Sequence, residues 1–168
     1  MKTLIVMRHA KSSWDDASMA DIDRPLNERG RAAAPFMGRL IAGNGIVPNI
    51  VVSSPARRAR ETAELVKNAG GIGAEIRFDE RIYEADPQTL VRVVSELGEE
   101  YSAAMIVGHN PGMEGLVRFL TGSSEEMPTA AVAVINIETI GWAALGAGTG
   151  KIERVYRPKA EMNREPGP

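Results

Sequence analysis

The 168-residue chain contains no cysteine, which excludes disulfides, thiolate nucleophiles and metal sites with cysteine ligands. It also lacks a strong charge: Lys and Arg number 20 and Asp and Glu 22, so the net charge of -2 would attract neither nucleic acid nor an anionic membrane. No apolar run approaches the roughly 20 residues of a membrane span, and the short run 3–7 ends at Arg8, unlike a secretory signal. We therefore expect a cytoplasmic protein with no nucleic-acid or membrane partner.

Short apolar segments rich in Val and Ile predict a buried sheet, because strands covered on both faces show no polar alternation. Four segments have this composition: residues 3–7, 50–53, 103–107 and 131–137. Helical patterns lie between them, and three begin with a capping residue followed by proline, at Ser54-Pro55, Asp86-Pro87 and Asn110-Pro111. Strands that alternate with helices predict a three-layer α/β fold, in which a largely parallel central sheet has helices on both faces.

The other parts of the chain are expected to complete one domain over residues 1–157. A further helix is expected over 27–42, with a kink or a late start because of Pro35. Residues 158–168 have little to bury and are expected to form a loose tail. Two edge strands are expected near residues 142–145 and 152–156.

Three of the predicted strands end on residues capable of chemistry. The first ends at Arg8-His9, the second runs into the arginine-rich segment 53–64, and the third ends at Gly108-His109. The carboxyl ends of parallel strands meet at one edge of the sheet, where α/β proteins bind ligands. Two of these three sets of residues lie at the start of a predicted helix, and the N-terminus of a helix attracts anions. We therefore expect the two histidines of the chain to meet at an anion site.

The arginine-rich segment indicates which arginine would bind that anion. At about 100° per residue, Arg58 falls at the edge of the apolar stripe of the predicted helix, whereas Arg57 and Arg60 fall outside it. An arginine on the buried side of a helix needs an anionic partner, and guanidinium matches two phosphate oxygens. We therefore expect Arg58 to bind phosphate, and Arg57 and Arg60 to lie on a solvated face.

Two arginines, two histidines and two helix N-termini are typical of a pocket for a phosphoryl group. No carboxylate cluster accompanies the histidines, so a catalytic metal is not expected, and the absence of a Walker loop argues against nucleotide binding. With no cysteine and no serine in a nucleophile elbow, histidine is the best candidate for a covalent nucleophile. The residues alone therefore predict phosphoryl chemistry at a histidine.

Three motifs together resemble the histidine phosphatase superfamily, also called the phosphoglycerate mutase-like fold. They are Arg8-His9 after a strand, SPARRARETA at 54–63 and GHNPG at 108–112. The short chain and the sequence Arg-His-Ala in place of Arg-His-Gly are most similar to the SixA-type phosphohistidine phosphatases, and DRPLNERG at 23–30 resembles a segment of that branch. The resemblance spans roughly residues 3–137.

The resemblance implies a metal-independent phosphatase without an organic cofactor. His9 would attack phosphorus in line and become phosphohistidine, which water would then hydrolyse. Arg8, Arg58 and His109 would hold the phosphoryl oxygens and offset charge in the transition state. The implied substrate is protein phosphohistidine, and the implied partner is a histidine-phosphorylated protein.

Two positions depart from what the resemblance implies. Where mutase-like members have Asn after the catalytic histidine, the chain has Asp15, which either turns away from phosphate or faces a cationic part of the substrate. Larger members place their general acid in the segment that corresponds to residues 79–87. Here Glu84 is the best candidate, and Glu80 and Asp86 are weaker candidates. A phosphohistidine substrate needs this acid less, because its leaving imidazole has a pKa of about 6.5.

Two other functions fit the same residues. One is a small-molecule phosphomonoesterase or mutase, which would need Glu84 as a working acid. The other is a phospho-binding module that has kept the pocket without turnover, although the intact pair of His9 and His109 speaks against it. The short chain leaves few residues for a lid, so the favoured prediction is an open site that admits a macromolecular substrate.

Overall fold

In the computed structural model, which describes residues 1–164, six strands form one central sheet. They are, in chain order, β1 (Lys2–Arg8), β2 (Ile50–Ser53), β3 (Glu75–Phe78), β4 (Ala103–Gly108), β5 (Val132–Ile137) and β6 (Gly150–Tyr156). They lie side by side in the order β3-β2-β4-β1-β5-β6. The pairs β3–β2, β2–β4 and β4–β1 are parallel, whereas β5 is antiparallel to both of its neighbours. The predicted, largely parallel sheet is confirmed.

Helices cover both faces of this sheet. They are α1 (Glu28–Gly43), α2 (Arg57–Gly70), α3 (Pro87–Ser95), α4 (Gly112–Thr121) and α5 (Pro158–Arg164). Successive side chains of β1 point to opposite faces, so Leu4 and Val6 pack with α3 and α4, while Ile5 and Met7 pack with α1 and α2. The three-layer α/β fold is therefore confirmed. Within residues 1–164, no helix combines the length and the apolar character needed to cross a membrane.

The three predicted helix starts differ in where the helix begins and in how its first N–H groups are bonded. Asp86 Oδ1 accepts a hydrogen bond from the Thr89 backbone N–H (2.8 Å) at the start of α3. The other two helices begin later than predicted, α2 at Arg57 and α4 at Gly112, and Asn110 Oδ1 still accepts a hydrogen bond from the Glu114 N–H (3.3 Å) in the first turn of α4. The Ser54 hydroxyl, predicted to cap α2, accepts a hydrogen bond from the Ala56 N–H (3.2 Å) just before that helix and also lies against a histidine side chain.

Two expectations about the C-terminal part of the chain are wrong. The stretch 142–145 is a single 3₁₀ turn rather than an edge strand, because the Trp142 side chain is fully buried and its Nε1 donates a hydrogen bond to the Tyr101 carbonyl oxygen (2.9 Å). Residues 158–164 of the predicted loose tail form α5, which packs against α1. The rest of that tail, 165–168, lies outside the described residues.

Two further elements show where the sequence pattern was sufficient and where it was not. The helix predicted over 27–42 begins at Glu28, where Asn27 Oδ1 accepts a hydrogen bond from the Gly30 N–H (2.9 Å), and it continues through Pro35 without a late start. β6 confirms the strand predicted near 152–156. β3 was not predicted, because this edge strand is largely exposed and has no apolar signal.

Candidate active site

The ends of neighbouring parallel strands bring the predicted site residues together. Arg8, at the end of β1, pairs with Gly108 at the end of β4, and β2 ends beside them. The residues that follow, His9 and His109, therefore leave the sheet at the same edge. Their ring centroids lie 5.1 Å apart. The convergence that the sequence predicted is present in the structure.

His9 is buried, with 7% of its surface exposed. Its Nδ1 lies 2.7 Å from the Ala10 carbonyl oxygen, and a carbonyl only accepts, so Nδ1 carries the proton and Nε2 keeps a lone pair. Burial above all, and then the charges of His109 and the two arginines, lower the pKa of His9 to about 3. The ring is therefore neutral at neutral pH, and its Nε2 is chemically able to act as a nucleophile.

His109 lies beside His9 at the end of β4. Its Nε2 is 2.8 Å from the Ser54 hydroxyl oxygen, and its ring makes a T-shaped contact with Tyr83 at a centroid distance of 5.5 Å. Burial, followed by the positive charge of Arg58, lowers the pKa of His109 to about 4. Both histidines are thus neutral at neutral pH, which leaves the positive charge of the site to its arginines.

Two guanidinium groups accompany the histidines. Arg58 has only 6% of its surface exposed, as its position on the apolar stripe predicted, whereas Arg57 and Arg60 are exposed. Arg8 Nη1 donates a hydrogen bond to the Met127 carbonyl oxygen (3.1 Å), and burial lowers the pKa of Arg8 from its usual value. The site therefore holds two partly desolvated cations, for which an anion is a favourable partner.

Unpartnered polar atoms concentrate at this same place. Within residues 1–164, the buried side-chain nitrogens and oxygens without a hydrogen-bond partner are Arg8 Nε, Arg58 Nε and His109 Nδ1. Buried polar groups in proteins are normally paired, and leaving one unpaired costs free energy. The protein's own contacts are thus incomplete at the three residues that the sequence predicted to hold phosphate.

A cavity of about 660 Å³ opens beside His109, and its wall includes Arg58, His109, Tyr83 and Glu84. Glu84 is exposed and has a φ of 56°, in the left-handed region that is costly for a residue with a side chain. A non-glycine residue keeps this conformation only where the surrounding structure holds its backbone in place. The turn places Glu84 on the rim of the cavity.

The other two candidates for the general acid are less well placed. Asp86 also lines the cavity, but its Oδ1 is engaged by the backbone N–H of Thr89 at the start of α3. Glu80 is exposed on a 3₁₀ turn and does not line the cavity. Of the three candidates, Glu84 is therefore the one that the geometry favours.

The carboxylate that contacts Arg58 is Asp21, which sequence reasoning missed. Its Oδ2 accepts hydrogen bonds from the Tyr83 hydroxyl (2.6 Å) and from Arg58 Nη2 (3.0 Å), and these lower the pKa of Asp21 to about 2. Asp15 lies in an exposed loop beside a separate depression of about 560 Å³. The signal that could have found Asp21 is Arg58 itself, because a buried arginine needs an anionic partner.

The residues present support phosphoryl transfer as chemistry. A neutral imidazole with a free lone pair lies beside two guanidinium groups, which can stabilise charge on a phosphoryl group. In the described part of the chain, residues 1–164, no group of three or more His, Asp or Glu side chains is arranged to hold a metal ion.

Comparison with known proteins identifies the family of the chain. The sequence model of the histidine phosphatase superfamily (branch 1) matches residues 4–114. An uncharacterized chloroplastic protein of Arabidopsis thaliana is 32% identical over 174 residues, which cover 96% of this chain and 80% of the relative. Because the family match covers well over half of its length, the chain belongs to the histidine phosphatase superfamily.

Two solved structures share the fold over nearly the whole chain. One, named as phosphohistidine phosphatase SixA from Agrobacterium tumefaciens, has a TM-score of 0.81 and 27% identity, and it covers 94% of this chain and 98% of that chain. Another, also named as SixA, from Nakamurella multipartitia, has a TM-score of 0.83 and 25% identity, and covers 94% and 96%. The predicted fold and the SixA-type branch are confirmed, and the likeness supports a phosphatase with a histidine nucleophile.

Proposed function

We propose that the protein is a metal-independent phosphatase that hydrolyses protein phosphohistidine through a phosphorylated His9. One observation carries this proposal: Nδ1 of His9 is held by the Ala10 carbonyl oxygen, which leaves Nε2 of a neutral ring free beside two guanidinium groups. Membership of the histidine phosphatase superfamily supports the same reaction class.

The first step transfers the phosphoryl group to the enzyme. The Nε2 lone pair of His9 forms a bond to phosphorus while the bond between phosphorus and the substrate nitrogen breaks. The bonding electron pair leaves with the substrate imidazole, whose other nitrogen carries a proton, so the leaving group departs as neutral imidazole. Arg8, Arg58 and His109 hold the phosphoryl oxygens and offset their charge in the transition state.

The second step regenerates the enzyme. A water oxygen forms a bond to phosphorus while the bond to His9 Nε2 breaks, and the electron pair returns to the ring. The proton lost by water ends on the departing phosphate. His9 is then neutral again, in the state that burial and the Ala10 contact favour.

Phosphohistidine suits this site better as a substrate than a phosphate ester does. Its imidazole has a pKa of about 6.5, so it leaves without much help from an enzyme acid, whereas an alkoxide needs a proton. The exposed carboxylate of Glu84 lines the cavity and attracts the phosphohistidine ring, whose other nitrogen carries a proton. Because Asp21, Glu84 and Asp86 on the cavity wall are exposed, a phosphohistidine on the surface of a folded protein can approach it.

A small-molecule phosphomonoesterase is a second candidate function, and the position of Glu84 favours it. This carboxyl lines the cavity next to Tyr83 and could donate a proton to an alcohol leaving group. A binding module without turnover is a third, and it is distinguished by the experiment below. A cytoplasmic location stays a prediction, since a chain without cysteine suits a reducing compartment.

A covalent trap tests the proposed reaction. The purified protein is mixed with a helical-bundle protein that carries ³²P-phosphohistidine, quenched in alkali, in which phosphohistidine survives, and mapped by peptide analysis. We expect label on His9 that decays to free phosphate. His9→Ala should lose the label and at least about 10³-fold of the turnover rate.

His109→Asn is the control, because the chain has only these two histidines. In this variant, label should form more slowly but still map to His9. Unchanged phosphate release in His9→Ala would remove the covalent mechanism. Tight phosphate binding with no release by the unmodified protein would establish the binding module instead.

A further inference from the structure

Asp21 engages the arginine that the proposed reaction needs. Arg58 Nη1 donates a hydrogen bond to the Asp21 carbonyl oxygen (2.7 Å), and Nη2 donates to Asp21 Oδ2 (3.0 Å). Asp21 thus accepts hydrogen bonds from both terminal nitrogens of the Arg58 guanidinium group, which is almost completely buried. Each of these nitrogens keeps a second hydrogen, so the guanidinium can still bind a phosphoryl oxygen.

Asp21 is itself held from two other directions. Its Oδ1 accepts a hydrogen bond from Arg24 Nε (3.1 Å), and the Tyr83 hydroxyl donates to its Oδ2 (2.6 Å). Arg24 is buried, donates to the Ser12 hydroxyl (2.9 Å), and has its guanidinium 3.5 Å from the centre of the Trp14 ring. These contacts fix the position of the Asp21 carboxylate, and its hydrogen bonds to Arg58 in turn fix the orientation of the guanidinium group.

We propose that Asp21 is a positioning residue that orients Arg58 for the transition state and offsets its charge so that free phosphate is released. This inference rests on the proposed function above. It assigns Asp21 no contact with the reacting atoms, since the carboxylate acts through the guanidinium.

The two effects of Asp21 follow from geometry and from charge. A long arginine side chain has many rotamers, and a fixed carboxylate selects one before the substrate arrives, which favours a transition state that demands accurate contacts. The product, inorganic phosphate, is a dianion that two unscreened guanidinium groups would retain. A carboxylate 3.0 Å from one of them weakens that attraction.

Asp21→Asn separates this role from a merely structural one. The amide removes the charge and loosens the hold on Arg58, so kcat should fall about tenfold because transition-state contacts depend on the orientation of Arg58. The inhibition constant for inorganic phosphate should also fall, by roughly threefold or more, because ground-state binding gains from the added positive charge. A structural defect would instead weaken phosphate binding and turnover together.

Asp23→Asn is the matched control, since Asp23 lies in the same 3₁₀ turn, carries the same charge and is exposed. It should leave both kcat and phosphate inhibition within about twofold of the unmodified enzyme. Asp21→Glu should restore phosphate inhibition toward the unmodified value, because it restores the charge, while kcat stays low. Equal melting temperatures by circular dichroism establish that the variants are folded.

The outcomes distinguish this inference from the proposed function. If kcat is unchanged in Asp21→Asn, or if phosphate binding weakens in parallel with kcat, the positioning role is wrong while the phosphatase stands. If the unmodified protein turns over no phosphorylated substrate, the proposed function itself fails. Calorimetric titration with inorganic phosphate still tests the charge effect in that case, and an affinity that does not increase in Asp21→Asn overturns it.

Discussion

The two sides of the candidate site differ in burial and in the elements that carry them. What we propose as the phosphate side lies at the ends of β1 and β4 and on α2, and consists of Arg8, His9, Arg58 and His109. What we propose as the leaving-group side lies on turns outside the sheet, and consists of Asp21, Tyr83 and Glu84. His9 and Arg58 are almost completely buried, whereas Asp21 and Glu84 are exposed.

This difference in burial bears on how the two sides would divide the proposed reaction. Side chains at strand ends are held by a packed sheet, so their geometry does not depend on the length or composition of surface turns. Turns outside the sheet tolerate change at little cost to the core. We infer that the phosphate side sets the reaction and that the leaving-group side sets which phosphorylated group is accepted.

Arg58→Lys should produce the largest change on the phosphate side among the variants below. Lysine keeps the charge but loses the planar fork that matches two phosphoryl oxygens and the Asp21 carboxylate. We expect kcat/KM to fall about 10²-fold with any phosphorylated substrate, measured as steady-state phosphate release.

Arg57→Lys is the matched control for this substitution. Arg57 is the preceding residue of α2 and is exposed, and its Nε lies 3.4 Å from Glu61 Oε2. An exposed pair of this kind contributes little, so kcat/KM should stay within about twofold. Equal losses in the two variants would contradict the assignment of Arg58 to the phosphate side.

Because the folded protein keeps both histidines neutral, its free energy of unfolding should fall in acid. The unfolded chain protonates both near pH 6.5, whereas burial holds the pKa of His9 at about 3 and that of His109 at about 4. The unfolded state therefore binds more protons as the pH falls through this interval, and the free energy of unfolding falls with it. At pH 5 the loss should reach as much as about 2 kcal/mol for each histidine.

Urea unfolding at pH 7.5 and pH 5.0 in phosphate-free buffer measures this loss. His9→Gln should lose about half as much stability between the two values as the unmodified protein does, because only one buried histidine remains to be protonated on unfolding. An identical loss in both proteins would show that His9 is not held neutral by the fold.

Glu84→Gln should have the smallest effect, and its size should depend on the substrate. With a phosphomonoester, we expect kcat to fall about tenfold or more, because the alkoxide loses its proton donor. With a phosphohistidine protein, the change should stay below about threefold, since imidazole leaves with little help. Equal losses with both substrates would end the distinction between the two sides and favour the esterase function.

Much of the phosphate side could be predicted from the sequence. His9 and His109 each follow an apolar run, and the position of Arg58 on the helix stripe predicted its burial. The turns were harder, because their conformations leave no periodic signal. The 3₁₀ turn around Trp142 was predicted as a strand, since the short sequence does not indicate that this indole is buried against distant segments.

The sequence by itself determined that two histidines and two arginines meet at one edge of a sheet, because parallel strands end together whatever their loops contain. Only the tertiary structure decided that Asp21 lies between Arg58 and Tyr83, which are 37 and 62 residues away along the chain. It also decided that Glu84 adopts a left-handed conformation on the cavity rim. Contacts between such distant segments depend on how the layers pack, and local residue patterns carry no record of that packing.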